Sequence, residues 1–185
     1  HQVLIDGMRF LLNTVPDFEV VGFSLDGNNL FEEVIANETD ILIIDISMPK
    51  KDGIEVLKEF KQKGFPCKVI VLSSYDELKL IKEVMKLGSN GYLTKKCAGD
   101  NIVEAIYAVL NGEDYFCKSV REKIFDTAVK DNPKLNKYET VENSILSGVI
   151  NGTIHEIDGI ITCYKSDFPN LICVLKLIIF LNALY

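Results

Sequence analysis

The first 112 residues alternate between short, wholly apolar segments and longer segments whose apolar residues recur every three or four positions. Short β-branched runs without alternation are typical of strands buried on both faces, and the longer period is typical of amphipathic helices. We therefore predict strands over residues 18–23, 41–44, 69–72 and 91–94, and helices over residues 2–14, 28–37, 53–63, 77–87 and 101–110, with Asp100 as N-cap of the last helix.

Strand–helix alternation with short connections predicts an α/β fold built on a doubly wound parallel sheet. In such a sheet, ligands bind outside the carboxyl ends of the strands. Three polar residues, Asp45, Ser73 and Lys95, come directly after predicted strands. Because parallel strands end at one edge of the sheet, we expect these side chains to converge.

The three residue types suit phosphoryl chemistry. A carboxylate such as Asp45 can attack a phosphoryl group and form an acyl phosphate. Mg²⁺ neutralises the phosphoryl oxygens, and a lysine ammonium adds a compact positive charge. A serine hydroxyl can donate a hydrogen bond to the same oxygens. A hydrolase that passes through an aspartyl phosphate is disfavoured, since no second general acid stands beside Asp45.

Three segments resemble the signature motifs of response-regulator receiver domains: residues 40–53 (DILIIDISMPKKDG), 69–76 (VIVLSSYD) and 88–95 (GSNGYLTK). The resemblance covers residues 1–118 and implies a flavodoxin-like sheet. By position it implies that Asp45 is the phosphoacceptor, Ser73 the switch hydroxyl and Lys95 the lysine that pairs with phosphate. It further implies that Tyr92 is an aromatic switch residue, and that Asp45 and the Ser47 backbone carbonyl are Mg²⁺ ligands.

The sequence departs from the family pattern at its start. The family has a first strand that ends in an acidic pair, which supplies further Mg²⁺ ligands immediately before a position like that of His1. In the 2-1-3-4-5 strand order this strand is central. Its loss would open both the sheet and the metal site, so we expect impaired metal binding and phosphorylation in a chain that begins at His1.

The second part of the chain resembles a LuxR-type helix-turn-helix module, as in response regulators of the NarL/FixJ family. We predict a linker over residues 119–134 and a small, partial or degenerate helical module over residues 135–185. The likeness rests on residues 135–140, 145–152 and 155–157, and it fades beyond them. Pro169 would interrupt a recognition helix. From Leu135 onward, three lysines face five acidic residues, which disfavours binding to DNA phosphates.

Composition limits the class of protein and the cellular compartment that we expect. The net charge of −7 is unusual for a free-standing nucleic-acid binder. Five scattered cysteines favour neither a disulfide framework nor a zinc site, and fit a reducing cytoplasm. Neither a signal peptide nor an apolar run of about 20 residues, the length needed to span a membrane, is recognisable. We expect a cytoplasmic protein with no membrane partner.

The sequence therefore predicts a response regulator rather than an enzyme. A sensor histidine kinase would phosphorylate Asp45, and phosphorylation would favour a homodimer and control transcription through a C-terminal DNA-binding module. The alternative is a phosphorylation-impaired, receiver-like interaction protein that does not bind DNA, which the missing acidic pair favours.

Overall fold

The computed structural model describes residues 2–24, 27–47, 52–131 and 175–180. The described elements alternate as the sequence predicts. In chain order they are α1 (Gln2–Asn13), β1 (Phe18–Ser24), a 3₁₀ turn (Gly27–Asn29), α2 (Leu30–Ala36), β2 (Ile41–Asp45), α3 (Gly53–Lys63), β3 (Lys68–Ser73), α4 (Leu78–Leu87), β4 (Gly91–Thr94), α5 (Lys95–Leu110), β5 (Tyr115–Phe116), α6 (Lys118–Asp131) and β6 (Leu175–Phe180).

The six described strands form one parallel sheet in the order β1-β6-β2-β3-β4-β5. Every residue of β2 is buried, and so is every residue of β3 except its first. Helices α1 and α5 contact each other, as do α3 and α4. The continuous apolar runs are explained by this burial, because a parallel sheet covered on both faces has no solvent side. The predicted α/β doubly wound fold is confirmed.

The C-terminal strand β6 requires a correction. The sequence predicts a helical segment over residues 135–185 and an open sheet, but Leu175–Phe180 form a strand inside that sheet. Phe18 of β1 pairs with Leu175, and Ile41 of β2 pairs with Leu177. β6 therefore occupies the central place that the resemblance assigns to a strand before His1. It satisfies the backbone hydrogen-bonding groups of β1 and β2, which would otherwise be exposed.

Helix α5 also begins earlier than predicted, at Lys95 rather than at residue 101. The preceding residue, Thr94, has an extended backbone and takes the N-cap position, so Asp100 lies inside the helix and is not its cap. Helix α4 ends at residue 87, as predicted, and is capped by Gly88, whose φ of 110° suits a residue without a Cβ.

Helix α6 covers most of the predicted linker, and its residues Val120 and Ile124 are buried in the core. The division into a receiver (1–118), a linker (119–134) and a helix-turn-helix segment (135–185) stays a prediction. Residues 132–174 and 181–185, which include most of the predicted DNA-binding segment, lie outside the described residues.

Candidate functional site

The carboxylate of Asp45, the last residue of β2, is buried at the centre of the candidate site, with 1% of the residue exposed. Its Oδ1 accepts a hydrogen bond from the Ser47 N–H at 2.9 Å. Its Oδ2 lies 2.6 Å from Lys95 Nζ. Within the described residues Oδ2 has no hydrogen bond of good geometry. The contact with Lys95 is therefore an ion pair without a well-aligned hydrogen bond, and Oδ2 keeps acceptor capacity for another partner.

Lys95 compensates for the burial of this charge. Its side chain is 13% exposed, so the ammonium group lies close to the surface while it pairs with Asp45. A buried carboxylate without a partner would be costly, because water no longer stabilises its charge. The early start of α5 fixes Lys95 at the carboxyl end of β4.

Strand register explains why residues far apart in sequence meet here. Asp45 pairs with Leu72, the residue before Ser73, and Ser73 pairs with Thr94, the residue before Lys95. The three predicted site residues therefore follow one line across adjacent strand ends. The convergence that the sequence predicts is present in the structure.

Ser73 and Tyr92 belong to a second group of contacts beside the carboxylate. Both are fully buried. Ser73 Oγ accepts a hydrogen bond from the Tyr75 N–H at 3.0 Å, and Tyr92 Oη donates to the Tyr75 carbonyl at 2.8 Å. Burial raises the pKa of Tyr92 to about 12, and a hydrogen bond with Ser73 partly opposes this rise. The segment after β3 thus connects the two residues that the resemblance names as switches.

Gly53 is a site residue that the sequence analysis did not single out. It begins α3, and its N–H donates to the Ile46 carbonyl at 3.2 Å. A Cβ at this position would lie 2.6 Å from the Asp45 carbonyl oxygen and 2.9 Å from Ile46 Cα. Only glycine allows α3 to approach the end of β2 so closely. Its position in the sequence, eight residues after Asp45, is the feature that could have identified it as a site residue.

The described residues bear on whether a metal ion can bind beside Asp45. Among them, no group of three or more His, Cys, Asp and Glu side chains is placed to hold a metal ion. Asp45 Oδ2 nevertheless fits a hard cation, since it is an oxygen acceptor without a well-aligned donor. Mg²⁺ commonly takes one or two carboxylates together with waters and phosphate oxygens. Strand β6, with the sequence LKLIIF, brings no carboxylate.

Comparison with known families agrees with this geometry. The family model described as "Response regulator receiver domain" matches residues 1–107. The chain belongs to the response regulator family. The match covers the three strand ends that carry Asp45, Ser73 and Lys95, so the resemblance to receiver domains is confirmed.

Two relatives of this response regulator are transcriptional regulatory proteins. It is 33% identical over 144 residues to "Transcriptional regulatory protein DegU" of Brevibacillus brevis, covering 78% of this chain and 59% of that protein. It is 31% identical over 148 residues to "Transcriptional regulatory protein DesR" of Bacillus subtilis, covering 80% of this chain and 72% of that protein. The chain thus spans less than two thirds of the DegU relative. Response regulators are not enzymes, in agreement with the prediction.

Solved structures support the fold. A LuxR-family response regulator from Aurantimonas has a TM-score of 0.65 at 22% identity, covering 70% of this chain and 92% of that one. The isolated receiver domain of RcsB from Salmonella enterica, solved with the phosphomimetic BeF₃⁻, has a TM-score of 0.60 at 26% identity and covers 66% and 91%. The receiver fold that the resemblance implies is confirmed. No described helix of this response regulator combines the length and apolarity needed to cross a membrane.

Proposed function

We propose that Asp45 accepts a phosphoryl group from a sensor histidine kinase and that this response regulator signals through the change that follows. The ion pair between buried Asp45 and Lys95, 2.6 Å apart, carries the proposal. A carboxylate oxygen at a strand end can attack phosphorus, while the adjacent ammonium stabilises the oxygens that gain charge. Lys95 would then move from the carboxylate to the phosphoryl oxygens.

Movement of Ser73 and Tyr92 would transmit the effect of the new charge to the protein surface. Ser73 Oγ accepts from Tyr75 N–H but keeps its own proton, which it can donate to a phosphoryl oxygen. Moving Ser73 would disturb the Tyr75 segment, to which Tyr92 donates at 2.8 Å. The surface formed by α4, β4 and α5 would repack, as expected when a local charge biases a two-state element.

Mg²⁺ is the cofactor that we propose. Asp45 Oδ2 and the Ser47 backbone carbonyl would hold it, and when bound it would neutralise charge on the phosphoryl oxygens. We also propose phosphorylation-dependent homodimerisation, transcription control through the C-terminal module, and a cytoplasmic location. DNA binding is expected from the LuxR-type relatives, although the excess of acidic residues beyond Leu135 disfavours it for this chain.

Labelling by acetyl phosphate in the presence of Mg²⁺ tests the proposal. Intact mass spectrometry should find one added phosphoryl group, and Asp45→Asn should abolish it because an amide is not a nucleophile of this kind. Asp100→Asn is the matched control, since Asp100 is exposed on α5 and outside the site. Undiminished labelling of the Asp45→Asn variant would overturn the assignment.

The alternative, a phosphorylation-impaired interaction protein, is favoured by one observation. Asp45 is the only carboxylate that the described residues place next to Lys95 Nζ. Thermal melting with increasing Mg²⁺ distinguishes the two functions. A phosphoacceptor should gain stability that Asp45→Asn eliminates, whereas an interaction protein should show neither this gain nor labelling.

A further inference from the structure

Two cysteines from separate elements meet beside the candidate site. Cys97 lies in the first turn of α5, two residues after Lys95, and Cys117 lies between β5 and α6. The Thr94 hydroxyl donates to Cys97 Sγ at 3.3 Å and lies 4.0 Å from Cys117 Sγ. Cys97 Sγ also donates to the Thr94 carbonyl at 3.2 Å, so both sulfurs pack against Thr94. The two thiols therefore contact Thr94, the residue that precedes Lys95.

The surroundings of Cys117 favour its thiolate. Cys117 directly precedes α6, and its carbonyl accepts the N–H groups of Val120 and Arg121 at 2.9 and 3.0 Å. Its sulfur lies 3.5 Å from Ser119 Oγ. A thiolate at a helix N-terminus is stabilised by the unpaired N–H groups there. The neighbouring Cys97 thiol lowers the pKa of Cys117 most, and the neighbouring Cys117 thiol raises the pKa of Cys97.

The two thiols differ in their exposure to solvent. Cys117 is fully buried and Cys97 is half-buried. Cys67, the third cysteine in the described part of the chain, is half-buried too, but burial raises its pKa to about 12. The chain thus contains its own reference thiol, with similar exposure to that of Cys97 and little thiolate at neutral pH.

We propose that Cys97 and Cys117 form a redox modification site that hydroperoxides oxidise to an intramolecular disulfide. The Cys117 thiolate attacks the peroxide oxygen, the O–O bond breaks, and Cys117 becomes a sulfenic acid as water leaves. The Cys97 sulfur then attacks the Cys117 sulfur, the S–O bond breaks, and a second water leaves. With hydrogen peroxide, two thiols lose two protons and two electrons and yield one disulfide and two waters.

The disulfide would join the first turn of α5 to the residue before α6. Helix α5 begins at Lys95, the partner of Asp45, and α6 continues towards the rest of the chain. Oxidation would therefore restrain α5, which carries Lys95, relative to α6. A thiol-specific reductant would release them.

The experiment uses the full chain with Cys163→Ser and Cys173→Ser, which removes the two cysteines outside the described residues and keeps the other three. Hydrogen peroxide is titrated, free thiols are alkylated, and tryptic peptides are measured by mass spectrometry. Residues 97–118 contain both cysteines without an internal lysine or arginine, while residues 64–68 carry Cys67 alone. The oxidation state of the Cys97–Cys117 pair and that of Cys67 are therefore measured on separate peptides.

We expect the 97–118 peptide to lose two hydrogens and resist alkylation, with reversal by dithiothreitol. Its oxidation should be at least about tenfold faster than that of Cys67, because the thiolate is the reacting form. In a Cys97→Ser variant, dimedone should trap a sulfenic acid on Cys117. In urea the advantage over Cys67 should disappear. Oxidation no faster than that of Cys67, bridging between chains only, or an unchanged advantage in urea would overturn the proposal.

Discussion

At the scale of single residues, the site depends on a close approach between α3 and the end of β2. Gly53 has backbone atoms of Asp45 and Ile46 where a Cβ would stand, and these atoms cannot move as a flexible side chain can. The approach fixes the Asp45 backbone while the Ser47 N–H and Lys95 hold its carboxylate. Position and charge at this site are therefore controlled by different residues.

Gly53→Ala should destabilise the protein by about 1–3 kcal/mol, the usual cost of overpacking a filled interior. Urea unfolding followed by circular dichroism measures the change. Gly99→Ala is the matched control, since Gly99 lies in α5 with no atom within 4 Å of its added Cβ. Alanine there should stabilise the helix by up to about 1 kcal/mol. Equal effects at the two positions would contradict the close approach.

At the scale of elements, strand β6 links β1 to the rest of the sheet. It pairs with β1 on one side and with β2 on the other, and Leu177 is fully buried. A central parallel strand contributes backbone hydrogen bonds to two neighbours and apolar contacts to both faces. Strand β6, which is distant in sequence, therefore fills the position between β1 and β2 in the sheet that carries Asp45.

Leu177→Ala should lower the free energy of unfolding by about 2–5 kcal/mol, because it leaves a cavity in the core. Leu42→Ala, on the neighbouring strand β2 and equally buried, should have a similar effect. Phe10→Ala is the exposed control, with 74% of Phe10 accessible, and should change stability by less than about 0.5 kcal/mol. A Leu177→Ala variant as stable as Phe10→Ala would show that β6 does not pair in solution.

At the scale of the whole molecule, burial of ionisable groups makes stability fall at alkaline pH. Burial raises the pKa of Tyr92 and of Cys67 to about 12 each. Above the unfolded value, near 10 for tyrosine, the unfolded chain loses a proton that the folded chain keeps. Unfolding then becomes more favourable as pH rises, until the folded group also titrates.

Comparison of the wild type with Tyr92→Phe isolates one such group. Near pH 7 the variant should be about 1 kcal/mol less stable, because it loses the hydrogen bond to the Tyr75 carbonyl. Between pH 10 and 12 the wild type should lose up to about 1.4 kcal/mol per pH unit through Tyr92, and the variant should not. Urea unfolding across this range should show the two stability curves converging and then crossing, because this loss exceeds the initial difference of about 1 kcal/mol. Parallel curves would mean that Tyr92 is not buried as a neutral phenol.

The sequence by itself determined the α/β class and the convergence of Asp45, Ser73 and Lys95, because buried parallel strands have a local apolar pattern and end at one edge. It did not determine the strand character of Leu175–Phe180, since a short, largely apolar segment suits a strand or a helix equally. Only the unpaired backbone groups of β1 and β2, distant in sequence, decide between them. The same holds for Gly53 and for the Cys97–Cys117 pair, because their contacts exist only after the strands have paired.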